Sequence, residues 1–197
     1  MEEDLRVVRT KRLLADALVD LAREKSIFNL TVRELSRTAG INRATFYRHY
    51  ASIVAFVDEL MDDLLDGLVD THELGRAGEV EERAYYRSWL EFARENRVLI
   101  GMLLSANGTP EFRRRLVQNG VDAWSYILRP GRVAELDEVS GGYIATYVTS
   151  AHVGVLTRWL EGGCAEDLDT MCTLLHRLSV QGALTACGLA DTSELPY

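Results

Sequence analysis

Residues 31–52 read TVRELSRTAGINRATFYRHYAS, and this stretch decides the fold. Thr31 with Glu34 three residues later has the pattern of a capping box, which predicts that a short helix begins there. Gly40 follows at a position where a turn needs a positive φ, and Asn42 is placed to cap a second short helix. Two short helices joined by a tight glycine turn predict a helix-turn-helix.

The apolar residues of the stretch indicate which side of each short helix is buried. Val32, Leu35 and Ala39 recur at helical spacing and predict the inner face of the first helix. Phe46 and Tyr50 predict the inner face of the second helix in the same way. The remaining residues of each short helix are then expected to face solvent.

The rest of the chain also favours helices. Leu, Ala, Arg and Glu recur at 3.6-residue spacing, Pro is scarce, and alternating runs of β-branched residues are few. A helix is predicted over Leu5–Lys25, and a long helix follows the cap residue Ser52. We therefore expect an all-α fold of about nine helices, with a three-helix, N-terminal helix-turn-helix domain in residues 1–52 and a helical domain in residues 53–197. Five helices are predicted in the later part of the chain, over residues 82–95, 96–106, 110–129, 143–161 and 167–187.

Charge is divided unevenly along the chain. Residues 1–57 hold ten Lys and Arg against seven Asp and Glu, whereas residues 58–197 hold twelve against twenty-three. An acidic body repels the phosphates of nucleic acid, so any contact with DNA is expected in the N-terminal part.

The second short helix carries side chains that suit DNA. Arg43 fits a bidentate bond to guanine, and the methyl groups of Ala44 and Thr45 fit contact with a thymine methyl. Other residues are placed for phosphate contacts, which fix the register, and Arg9, Arg12 and Arg37 add to that surface. The predicted DNA-binding residues are Thr31, Arg33, Asn42, Arg43, Ala44, Thr45, Tyr47, Arg48 and His49.

The order of these motifs resembles a known family. T-V-R-E-L-S-R-T-A-G, then I-N-R-A-T-F-Y-R-H-Y and a long fourth helix, is similar over about residues 6–60 to the DNA-binding domain of the tetracycline-repressor (TetR) family. W-L-E-G-G, ending at Gly163 before a last long helix, is also similar to many members. One departure is that members commonly place a Lys after the aromatic pair, where this chain has Ala51, Ser52 and Ile53. A phosphate contact is then missing, or is replaced by the amide of Ser52 at the helix N-terminus.

The resemblance implies a ligand-responsive homodimer, a repressor that binds a palindromic operator on double-stranded DNA. It also implies dimerisation through the last two helices and a small-molecule effector inside the second domain. Predicted ligand-binding residues are Tyr86, Trp89, Met102, Phe112, Trp124, Tyr126, Tyr143 and Tyr147, and for each of them core packing is the alternative. Apolar residues beyond the needs of one monomer predict the dimer faces: Tyr143, Tyr147, Val148, Val155, Trp159, Leu168, Leu175, Leu178 and Leu184. Two other interpretations stay open. One is a C-terminal domain that docks a protein without a small-molecule switch, and the other is an activator or DNA-organising role on the same DNA-binding unit.

Other chemistry finds little support in the sequence. Cys172 and His176 lie four residues apart, but without a second ligand pair the spacing favours packing, and we expect no metal and no cofactor. The acids of the fourth helix lack the Glu-x-x-His motifs of di-metal bundles, which favours a solvated acidic face. The phosphate loop, the nucleophile elbow and the His-Glu-x-x-His motif are all missing, so we expect no enzyme.

The cell compartment is predicted from three features of the chain. No apolar run approaches the ~18 residues of a membrane span, and the N-terminus MEEDLRVVRT does not read as a signal peptide. Three cysteines, all late in the chain, do not form a disulfide framework. We therefore expect a cytoplasmic protein with no membrane partner.

Overall fold

A computed structural model describes residues 2–76, 82–127, 138–180 and 182 of the chain. These residues form nine α-helices and no strand, which confirms the predicted all-α fold. A short 3-10 helix, Ile27–Asn29, lies between the first two. The helices are α1 (Glu2–Ala22), α2 (Val32–Thr38), α3 (Arg43–His49), α4 (Ile53–Arg76), α5 (Glu82–Glu95), α6 (Arg97–Leu104), α7 (Pro110–Ile127), α8 (Glu138–Glu161) and α9 (Leu168–Val180).

The chain divides into two compact units. The first unit comprises Met1–Asp66 with Asn96–Arg115, and the second comprises Gly67–Glu95 with Leu116–Tyr197. Helices α4 and α7 contribute residues to both units. The functional boundary predicted at residue 52 falls within the first unit and stays a prediction.

The core of the first unit is built from the apolar faces that the sequence predicts. Helix α1 packs against α2 and α6, and α2 packs against α3. Leu14 and Leu18 of α1, Leu35 of α2, Phe46 of α3 and Phe56 of α4 are fully buried. Because these residues lie on one side of each helix, the opposite sides face solvent.

The predicted ends of α2 and α3 are confirmed. Thr31 Oγ1 accepts a hydrogen bond from the Glu34 amide at 3.2 Å, and the Glu34 carboxylate accepts one from the Thr31 amide at 2.9 Å, which completes the capping box. The Asn42 side chain accepts from the Ala44 amide at 2.9 Å and so caps α3. Gly40 has φ +67°, the left-handed conformation that glycine adopts without steric cost.

Several carboxylates on the acidic side of α4 form ion pairs with cationic side chains of other helices. Lys11 of α1 lies 2.6 Å from Glu59 and 2.5 Å from Asp63, and the hydrogen bond from Lys11 lowers the pKa of Glu59. Arg115, in the N-terminal half of α7, lies 2.8 Å from Asp62. These carboxylates are exposed, as the prediction of a solvated acidic face requires, and neighbouring helices in addition supply cations to them.

The structure corrects the predicted end of α1 and the predicted start of α8. Helix α1 ends at Ala22 and not at Lys25, because the Ala22 carbonyl accepts a hydrogen bond from the Asn107 side chain at 2.9 Å. Helix α8 begins at Glu138, so the Gly141–Gly142 pair lies inside the helix and not ahead of it. Packing of α8 outweighs the cost of about 1 kcal/mol that each glycine adds. The predicted last helix extends to residue 187, and residues 183–187 lie outside the described part.

The capping box makes stability depend on pH. Hydrogen bonds from Lys25, at 2.6 Å, and from Thr31 lower the pKa of Glu34 from 4.5 to about 2. Ionised Glu34 therefore stabilises the fold above pH 4.5, and this contribution is lost as pH falls toward 2. The variant Glu34→Gln keeps an acceptor for the box but has no charge.

We expect Glu34→Gln to melt below the native protein near neutral pH, and the gap between their melting temperatures to close as pH falls through 4.5 toward 2. Thermal unfolding followed by circular dichroism across this range measures the gap. Glu24→Gln, at an exposed site, is the control and should show no such trend. A gap that stays constant with pH would show that the ion pair with Lys25 is not formed in solution.

Candidate nucleic-acid interface

Buried aromatic rings fix which side of α3 faces outward. The centroid of the Phe46 ring lies 5.7 Å from that of Tyr50 and 6.4 Å from that of Phe56, and Phe46 has no exposed surface. With this side held inside, the opposite side is exposed. Arg43, Ala44, Tyr47 and Arg48 are exposed, and Thr45 and His49 are half-buried.

Arginines surround this face without being neutralised. Arg33 and Arg37 on α2 and Arg43 and Arg48 on α3 are exposed, and within the described residues none of the four forms an ion pair. Lys25 is committed to Glu34 instead. Unpaired guanidinium groups need no internal partner to be displaced before they bind phosphate.

Two of the predicted contact residues, Thr31 and Asn42, also cap helices, as the sequence predicts. Thr31 Oγ1 donates its hydrogen to the Glu34 carboxylate at 2.7 Å, so a phosphate contact by this hydroxyl has to displace that bond. The side-chain oxygen of Asn42 accepts a hydrogen bond from the backbone amide of Ala44. The side-chain NH₂ group of Asn42 takes no part in that bond. Ser52 Oγ accepts from the Ala55 amide at 3.1 Å and caps α4.

A small cavity lies in the second unit. Its volume is about 20 Å³, the size of one water molecule. Of the predicted ligand-binding residues, Tyr86, Trp89 and Trp124 line it. Its full lining is Tyr86, Trp89, Leu116, Gly120, Trp124, Thr149, His152 and Val153.

A hydrogen-bond chain orders the polar side of this cavity. Ser179 Oγ donates to the Leu175 carbonyl at 2.8 Å, so it accepts from Tyr86 Oη at 2.8 Å and from His152 Nε2 at 2.8 Å. This assignment places a proton on His152 Nε2. Thr149 Oγ1 is buried and has no hydrogen-bond partner among the described residues. The cavity therefore combines aromatic walls with an unused hydroxyl.

The other predicted ligand-binding residues are not brought to this cavity. Met102 and Phe112 are buried in the first unit. Tyr143 and Tyr147 are 76% and 68% exposed on α8, so they do not line an enclosed space. The side chain of Tyr126 lies outside the described residues.

Polar residues that sequence reasoning missed take their place. Thr149 and His152 are one helical turn apart on α8. This spacing in the sequence indicates that the two polar side chains share one face of the helix. Ser179 comes from α9 and joins them only through the tertiary fold.

Helix α8 exposes an apolar face. Val139, Tyr143, Ile144 and Tyr147 are exposed along it, and Leu174 is exposed on α9. The predicted dimer residues Trp159, Leu168 and Leu175 are buried inside the second unit, so their prediction as interface residues is wrong. Val148, Val155 and Leu178 are half-buried, and Leu184 lies outside the described residues.

The described residues contain neither a metal-ligand cluster nor a membrane span. No group of three His, Cys, Asp or Glu side chains converges there, and Cys172 is buried on the interior side of α9. No described helix has both the length and the apolar character to cross a bilayer.

Comparison with known proteins identifies the class. Residues 14–60 match the family described as bacterial regulatory proteins, tetR family, and residues 81–181 match a TetR-type model described as a transcriptional regulator C-terminal region. Together with the helix-turn-helix, these matches define a transcriptional regulator of the helix-turn-helix class and not an enzyme. The chain belongs to the TetR family.

Similarity to individual proteins either covers a small part of the chain or has a low sequence identity. A Haemophilus influenzae protein described as an uncharacterized HTH-type transcriptional regulator is 41% identical over 56 residues, 28% of this chain. The chain matches only 27% of that relative's length.

Two crystal structures share the fold. One is a TetR transcriptional regulator from Streptococcus agalactiae, with 23% identity, a TM-score of 0.63, and coverage of 91% of this chain and 98% of that one. The other is the transcriptional regulator FadR from Bacillus subtilis in complex with stearoyl-CoA, with 13% identity, a TM-score of 0.59, and coverage of 87% and 98%.

The unused hydroxyl predicts a stabilising substitution. A buried hydroxyl without a partner costs about 1–3 kcal/mol, and valine has nearly the shape of threonine. We expect Thr149→Val to raise the free energy of unfolding by about 1 kcal/mol and the melting temperature by about 2–4 °C.

Denaturant and thermal unfolding measure this change. Thr146→Val is the control, because Thr146 is exposed and should shift stability by no more than about 0.5 kcal/mol. A less stable Thr149→Val protein would mean that the hydroxyl has a partner in solution.

Proposed function

We propose that this protein is a homodimeric, ligand-responsive repressor that binds a palindromic operator. The outward face of α3 carries the proposal, because a buried Phe46 anchors it and its arginines have no ion pair among the described residues. Residues 1–52 are assigned to DNA binding, and residues 53–197 to the effector and the dimer. Since the partner is DNA, we assign the protein to the cytoplasm.

The DNA-facing residues divide into two roles. Arg43, in the first turn of α3, is assigned to a guanine, with the methyl groups of Ala44 and Thr45 against a thymine. The phosphate contacts are assigned to Tyr47, Arg48 and His49, with Arg33 and the capping residues Thr31 and Asn42 at the edge. The amide of Ser52 at the start of α4 takes the place of the lysine that family members carry.

The exposed apolar face of α8 supports the dimer. A patch of valine, isoleucine and two tyrosines in water is unfavourable for a monomer and is typical of an interface. A two-fold dimer places two recognition helices on half-sites about 34–36 Å apart, which multiplies the few contacts of one short helix. The interface is assigned to α8 and α9, centred on Tyr143 and Tyr147.

The small cavity of the second unit supports the effector site. It is closed around Tyr86, Trp89 and Trp124, and we assign the effector a polar group that bonds Thr149 Oγ1. Its 20 Å³ volume means that a larger molecule binds only when these walls move apart. The Bacillus subtilis FadR structure holds stearoyl-CoA, which shows that this fold admits a ligand in that protein.

An effector that binds only when the walls of the cavity move apart shifts the equilibrium between the closed and the opened conformation. Ligand binding favours the opened state. A repressor loses operator affinity when the distance between its two recognition helices in that state no longer fits successive major grooves. A preference of about 2–3 kcal/mol weakens DNA binding by roughly 30- to 150-fold.

Removing the proposed guanine contact tests base readout. We expect Arg43→Ala to weaken operator binding by about 1–3 kcal/mol and to relax preference at one base pair of each half-site. Binding to a panel of single-base operator variants measures both effects. Arg94→Ala is the control, because Arg94 is an exposed arginine of the second unit, and it should leave affinity unchanged. An equal loss on every sequence would assign Arg43 to phosphate instead.

A charge on the exposed face of α8 tests the dimer. Because Tyr147 is 68% exposed, Tyr147→Glu should leave the monomer folded while burying a carboxylate at the interface. Light scattering should then report the monomer mass, with an unchanged helical circular dichroism spectrum. Val98→Glu, at an exposed valine of α6, should stay dimeric. A dimeric Tyr147→Glu protein would place the interface elsewhere.

A further inference from the structure

The first unit contains a second concave site, which shares Tyr47 and Ser52 with the proposed DNA surface. It is a groove of about 440 Å³ between the 3-10 helix, the start of α4 and the start of α7. Small-molecule sites have volumes of about 300–1,000 Å³, so the groove is large enough for an organic ligand. It lies in a different unit from the effector cavity.

Apolar side chains form both the floor and the rim of the groove. Val57 and Met61 of α4 are buried at its floor. Phe28 is 66% exposed, Val54 is 60% exposed and Tyr47 is 57% exposed at its rim. Three large exposed side chains around one concavity leave apolar area that a ligand removes from water, at about 25 cal/mol per Å².

The charged side chains that line the groove are both acids. Glu111 accepts hydrogen bonds from Arg114 at 2.7 Å and from Arg115 at 2.8 Å, so its charge is well compensated. Within the part of the chain that the structure describes, the one cation paired with Asp58 is Arg115, at a longer distance of 3.5 Å.

The charge balance of this cluster is negative. Arg115 is also shared with Asp62, at 2.8 Å. The guanidinium groups of Arg114 and Arg115 thus serve three carboxylates, which leaves one negative charge, and Asp58 has the weakest partner. The acidic end of the groove favours a cation and repels an anion.

We propose that this groove binds a small organic monocation, with an ammonium or amidinium group on an apolar body. The cationic group pairs with the Asp58 carboxylate, and the apolar body lies on Val57 and Met61. The aromatic faces of Phe28 and Tyr47 add a favourable environment for the same cation. Because Tyr47 belongs to α3, the ligand contacts the recognition helix directly.

The test uses the full-length protein and three probes with one apolar body: 4-phenylbutylammonium, 4-phenylbutanol and 4-phenylbutanoate. Titration calorimetry measures the affinity of each probe. The ammonium is expected to bind saturably and more tightly than the alcohol, and the alcohol more tightly than the carboxylate. Equal affinities, or no saturable binding of the ammonium, overturn the proposal.

Variants locate the binding. Asp58→Asn should weaken ammonium binding by about fivefold, the upper range for a partly exposed ion pair, and should leave alcohol binding unchanged. Asp66→Asn is the matched control, because Asp66 is an exposed carboxylate on the same helix outside the groove. Val54→Trp fills the rim without changing charge and should weaken both probes. Unchanged ammonium affinity in either Asp58→Asn or Val54→Trp would place the binding elsewhere and overturn the assignment.

Discussion

Burial of the Phe46 ring is the contact on which the DNA-facing surface depends. Helix α3 has seven residues, too few for an isolated helix to be stable in water. Its order therefore comes from packing of Phe46 and Tyr50 against Phe56 of α4, whose ring centroid lies 4.9 Å from that of Tyr50. Once this side is fixed inside, Arg43, Tyr47 and Arg48 can only face outward.

Ion pairing in the first unit follows a consistent division. Four carboxylates of α4, those of Asp58, Glu59, Asp62 and Asp63, pair with Lys11 or Arg115, whereas the arginines of α2 and α3 have no such partner among the described residues. Tyr50 Oη also donates to Glu59 at 3.2 Å, and burial followed by the Glu59 charge raises the pKa of Tyr50 to about 12. Glu59 thus ties the end of α3 to α4.

Local patterns were enough to predict the helix-turn-helix. The capping box, the glycine turn and the alternation of buried and exposed residues around Phe46 depend on neighbours within four residues, and each is confirmed. The ion pairing on the acidic side of α4 could not be predicted in this way, because Lys11 and Arg115 reach it from distant parts of the chain.

The second unit was predicted less well for a related physical reason. Helix α8 has apolar residues on several sides, and periodicity cannot say which side meets the core. Trp159 therefore looked like an interface residue although it is buried, and Tyr143 was predicted both for the ligand pocket and for the dimer. The polar chain of His152 and Ser179 joins two helices, and no spacing in the sequence connects them.

Selection of bound sequences from a random duplex library, without added effector and at physiological salt, tests the central claim most directly. The account predicts recovery of a palindrome whose half-sites are about one helical turn apart, read by two α3 helices. Recovery of no preferred sequence, with only weak and salt-sensitive binding, would contradict it, because the exposed arginines would then bind phosphate without reading bases.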